Sequence, residues 1–295
     1  MLTIVTDPEL APTSTTALRQ IQNPFIALRH INPLRWPQDL IIDKAICSAL
    51  VDQPLPRENI DVPKARPLDC TFVVDRLRTM QETRDTRETL VLIPALLDLT
   101  VEWLCELKEV GLGLGTGEVL RVANRSWDTV PCTTGAVIDG IPIYHYIDAH
   151  HRHASRVGKD LDDVDDIDEV EPPYTEQDVD HIDIYDLEVL LMMAQEQMFW
   201  GIPVEWNDGN YTVHVMYPTS TLTQLIVITA HIPHETALAV RKGHPTMKMV
   251  KITRDIIDID LQADDDLFTK SDLFKVLVGM VEHGIKVANM VPYGH

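Results

Sequence analysis

The chain contains no run of about 18 or more apolar residues, which excludes a membrane-spanning helix. It also contains no Cys-x-x-Cys pair. Its four cysteines, Cys47, Cys70, Cys105 and Cys132, are far apart, which argues against a zinc ribbon or a thioredoxin-type redox site. Aromatic residues are scarce, at 6%, so no platform for stacking bases or sugars is advertised. The start, Met1 to Glu9, lacks the basic and apolar regions of a secretory signal. These absences predict a reducing compartment, cytoplasm or nucleus, with the cysteines acting as small buried hydrophobes.

Catalytic signatures are missing as well. There is no Gly-x-Ser-x-Gly elbow, no His-Glu-x-x-His pair and no phosphate loop with its lysine. The glycines between Gly111 and Gly117 follow a helix pattern and open a strand pattern, the reverse of a dinucleotide fingerprint. They read as a flexible turn.

What is present is a core and a strong charge. With 295 residues, 45% of them hydrophobic, the chain can build a core without disulfides or structural metals. The net charge of −21 disfavours nucleic acid and anionic membranes as partners. Between Asp160 and Asp183 there are twelve acidic residues and no lysine or arginine. That stretch has too few apolar residues to bury much area, so it reads as a linker or surface loop suited to a basic protein partner. The same acids, Asp162 to Asp168, lack the glycine and glutamate of an EF-hand loop.

Prolines recur from Pro8 to Pro67, which predicts an irregular N-terminal region with a short helix near Asp43–Val51. Helices follow near Asp75–Arg84 and Thr89–Val110. The second carries Leu92, Leu96, Leu99, Trp103 and Leu107 as one apolar stripe and ends at Gly111. Strands are expected at Glu118–Ala123 and at Ala136–Ile147, the latter with a turn at Asp139–Gly140. Farther on, Asp183–Met198 reads as a helix and Val204–Tyr217 as a hairpin turning at Asn207–Asn210. Leu225–Ile232 reads as a central strand, Glu235–Arg241 as a helix and Met247–Ile257 as a strand. Asp272–Ile285 is a closing helix capped by Ser271. The order predicts an α+β fold with an antiparallel or mixed sheet and packed helices. Three regions are expected, 1–158, 159–182 and 183–295, of which the outer two can pack as one domain.

The most conspicuous polar cluster is His145, Asp148, His150, His151 and His153. His145, His150 and His153 are candidate ligands for zinc or manganese in a metal-dependent hydrolase or an accessory biosynthetic enzyme. The bland alternative is a solvated approach to the acidic segment. Met192, Met193 and Met198 read as adaptable core fillers. Glu188, Gln195 and Gln197 read as helix solvation plus a hydrogen bond to a neighbouring loop.

The string from Asp186 to Gln197, followed by β-runs at Tyr211–Tyr217 and Leu225–His231, resembles a group of uncharacterised filamentous-fungal proteins. The likeness covers residues 182–295. The same helix–hairpin–strand order resembles a degenerate PD-(D/E)XK nuclease core. That resemblance implies acids at Glu188 and Asp208, while the strand Leu225–Ile232 has neither the third acid nor the lysine. With no assembled catalytic motif, the expected role is a non-catalytic interaction or regulatory protein.

Overall fold

The computed structural model describes residues 21–37, 39, 46–60, 62–63, 67–83, 85–115, 119–128, 133–147, 182–219, 221–259 and 268–291. The helices are α1 (Phe25–Leu28), α2 (Thr71–Thr83), α3 (Thr86–Leu107), α4 (Ile184–Phe199), α5 (His234–Lys242) and α6 (Asp272–Ala288). Before residue 182 the strands are β1 (Ile21–Gln22), β2 (Val51–Asp52), β3 (Leu112–Gly115), β4 (Val119–Val122), β5 (Arg125–Asp128), β6 (Thr133–Ile138) and β7 (Ile141–Ile147). After it come β8 (Asn210–Pro218), β9 (Gln224–Pro233), β10 (Thr246–Met247) and β11 (Lys251–Asp258).

Seven strands form one mixed sheet in the order β2-β11-β9-β8-β7-β6-β3. Its pairs are antiparallel except β2 with β11 and β7 with β8. Strands from both sides of the acidic stretch therefore share one sheet. The fold is α+β, with helices packed on both faces.

Alternation along the strands sorts the core into two layers. Tyr211, Val213 and Val215 of β8 meet α4 on one face. Met216, Leu225 and Val227 face α6 and the α2–α3 pair on the other. Helix α4 is apolar almost all round, as a helix covered on both sides must be. The sheet covers one side, and α5 with the separate β4–β5 ribbon covers the other. At the end of α4, Trp200 fills the space beside the β6–β7 turn. Gly140 there has φ +84°, and a Cβ on it would lie 2.6 Å from the indole.

Helix caps follow the side chains. Asp85 accepts from the Glu88 N–H to start α3, and Ser271 accepts from the Phe274 N–H to start α6. Three expectations are corrected. Residues 46–52 are extended rather than helical, because Cys47 bridges Val250 and Val51–Asp52 pair with β11. The turn at Asp208–Gly209 exists, with φ +51° and +78°, but it follows a short 3-10 helix, Glu205–Asn207. The hairpin is instead β8–β9, turning beyond Pro218. Helix α3 ends at Leu107, where Glu109 at φ +58° takes the left-handed role expected of Gly111, and Leu112–Gly115 within the glycine run form edge strand β3. In each case pairing with a distant strand overrides local propensity.

Candidate functional site

Of the histidine cluster read from the sequence, only His145 lies within the described residues. His145 lies in β7 opposite Val215 and is buried, which lowers its pKa to about 4. His150 and His153 fall outside the described residues, as does most of the acidic stretch. No group of three His, Cys, Asp or Glu side chains among the described residues is placed to hold a metal.

Glu188 and Asp208 are not brought together. Asp208 is exposed in its turn after α4, whereas Glu188 sits eleven residues before the helix end, about 16 Å along the axis. Glu188 is buried and, among the described residues, neither of its oxygens has a hydrogen-bond partner. Burial pushes its pKa up to about 8, so at neutral pH it is mostly protonated and offers little charge to a magnesium ion.

A different set of histidines converges on the opposite face of the sheet. The period-two pattern of β8 and β9 puts Thr212, His214, Thr229 and His231 on the face that meets α6. Thr253 of β11 joins them opposite Thr229. These side chains floor a cavity of about 590 Å³. Val276 and Met280 of α6 form its apolar wall, and the extended segment Gln53–Glu58 forms its outer edge.

Each element is held locally. Asp255 of β11 accepts from the Leu55 N–H at 3.0 Å and from Arg57 at 2.6 Å, which ties the edge segment to the sheet. Gly279 lets that segment approach α6, since a Cβ there would lie 3.3 Å from the Glu58 side chain. At the far end, Trp206 is flanked by two α6 residues one turn apart. The His283 ring is 5.6 Å from its centroid, and the Lys286 ammonium lies 4.5 Å above it.

The floor is a ladder of hydroxyl–imidazole pairs. His214 Nδ1 bonds the Thr229 hydroxyl at 2.9 Å, and His231 Nδ1 bonds the Thr212 hydroxyl at 3.0 Å. Asn207 donates to the same Thr212 oxygen at 2.9 Å. With Nδ1 committed, Nε2 of each ring is the nitrogen left for a ligand.

Burial lowers the His214 pKa to about 3, with His283 and His231 adding to the effect. His283 falls to about 4 through burial, Lys286 and His231. His231 is lowered by burial and by Lys251. His214 and His283 are therefore neutral at pH 7, each able to donate and accept one hydrogen bond. Their basicity is far below what a general base working near neutrality needs.

Sequence reading missed this trio because its members lie on two strands and a helix, with no short spacing to link them. The available signal was the alternation Thr212/His214 and Thr229/His231, polar side chains at every second position of otherwise apolar strands. No protein-family model matches the chain, and no curated protein matches it.

Proposed function

We propose that the chain is a non-catalytic binding protein in which a small molecule held in the α6 cavity governs an interaction with a protein partner. The support is one observation: two imidazoles, the buried His214 and the partly buried His231, are oriented by threonine hydroxyls rather than by carboxylates. A proton-transfer site pairs its histidine with a carboxylate and keeps the pKa near the working pH. Here the rings act as fixed hydrogen-bonding groups beside an apolar wall, the composition of a ligand pocket.

The partner chemistry follows from charge. The acidic stretch within 159–182 suits a basic protein surface in the cytoplasm or nucleus and repels nucleic acid. No helix among the described residues is long and apolar enough to cross a membrane.

The test is a thermal-shift screen of small polar molecules on the full chain, repeated on His214→Leu. Hits whose stabilisation disappears in the variant, with no turnover of the hit, support the reading. Steady chemical conversion of a hit, or hits indifferent to His214, contradicts it.

A further inference from the structure

The cavity is electrically lopsided. Among the described residues Lys286 is the only lysine or arginine lining it, and no ion pair engages it there. Two acids also line it. Glu282 is matched by Lys108 at 2.8 Å, so its charge is spent outside the cavity. Glu58 packs its stem on Gly279, seven residues before Lys286 and so about 10 Å away along α6.

The cation thus marks one end and the unmatched acid the other. At the Lys286 end, His283 lies against the same Trp206 ring, and Asn207 holds Thr212 beside His231. Lys251 stands near His231 and adds positive potential from β11. Met280 lies between the two ends along α6, and Val276 and Pro54 also line the cavity; none of the three offers a hydrogen-bonding side chain.

We infer that the ligand of this cavity is a small organic monoanion with an apolar body. Its acid group sits at the Lys286–His283 end, and its body lies against Pro54, Val276 and Met280. The inference rests on the binding-protein reading above and adds charge and orientation to it. A carboxylate there receives a charge-assisted bond from Lys286, and the neutral imidazoles can donate to it through Nε2–H. A cation of the same shape is repelled at the Lys286 end and must reverse to reach Glu58. A neutral molecule keeps the apolar wall but gains nothing from the ammonium.

Three probes of one shape separate these cases: phenylacetate, phenylacetamide and 2-phenylethylamine, titrated calorimetrically into the full chain. Phenylacetate is expected to bind at least about tenfold more tightly than the amide, and more tightly than the amine. Lys286→Met should bring phenylacetate down to the amide while the amide is unchanged, and Lys286→Arg should keep the preference. Equal binding of all three, or a preference that survives Lys286→Met, overturns the anion assignment and leaves the cavity as a binding site. No binding of any probe at millimolar concentration overturns the assignment and the binding reading together.

Discussion

The carboxamide of Gln195 forms two hydrogen bonds with the backbone of Arg121, accepting its N–H and donating to its carbonyl, each at 2.9 Å. The side chain thus acts as a short piece of neighbouring strand for β4. The β4–β5 ribbon belongs to no larger sheet, so its hold on α4 rests on this pair together with Leu120 and Val122. Gln195→Leu leaves both backbone groups without a partner and should cost about 2 kcal/mol. Amide exchange should speed up over 119–128 and stay unchanged in β8 and β9.

Glu188 gives a stability signature of opposite sign to an ordinary paired carboxylate. Its folded pKa, about 8, lies above the unfolded value, so the folded state holds an extra proton across the interval between them. Stability from this group is complete below about pH 4.5 and is lost as pH rises through 8. At pH 7 the loss is about 3 kcal/mol, since the side chain is almost fully buried. Glu188→Gln should therefore raise the urea midpoint at pH 7 to 8 and leave it unchanged at pH 4.5. A midpoint difference independent of pH would contradict the buried, protonated carboxyl.

The histidines act at the acid end. His145, His214 and His283 have folded pKa values of about 4, 3 and 4, below the unfolded value near 6.5. The unfolded state binds more protons as pH falls below 6.5, so stability declines toward the folded values. Each fully shifted histidine contributes a slope of up to about 1.4 kcal/mol per pH unit. His214→Asn can keep a hydrogen bond to Thr229 without titrating, and it should flatten the acid limb of a plot of melting temperature against pH.

The outer edge of the cavity depends on Asp255. This carboxylate is buried beneath the Arg57 guanidinium and also takes the Leu55 N–H, so its removal leaves that backbone donor unmatched and the half-buried Arg57 with the exposed Asp272 as its remaining counter-ion. Asp255→Ala should cost about 2–4 kcal/mol, more than Arg57→Ala. The Leu55 amide should become fast-exchanging, and probe binding in the cavity should weaken in step.

Helix positions were legible in the sequence because period and caps are local. Ser271, the apolar run from Leu187 to Ala194 and the Asp139–Gly140 turn each appear where expected. The strand at Leu225–Ile232 was legible as central for the same reason. The order of the sheet was not, because Val51–Asp52 become strand, and Cys47 a bridge to Val250, only when β11 lies beside them. The site was hidden more deeply. His145, His150 and His153 attract attention by nearness in the chain, yet the histidines that share a cavity are His214, His231 and His283. Their meeting depends on the β8–β9 register and on how α6 lies across it.

The most direct test of the account is side-chain NMR of the histidines in the full chain during titration with phenylacetate. His145 serves as the internal control, since it sits on the α4 face of the sheet. The account predicts that the resonances of His214, His231 and His283 move together and saturate while His145 stays fixed. Shifts confined to exposed histidines, or equal shifts at His145, would contradict a ligand site between α6 and the sheet.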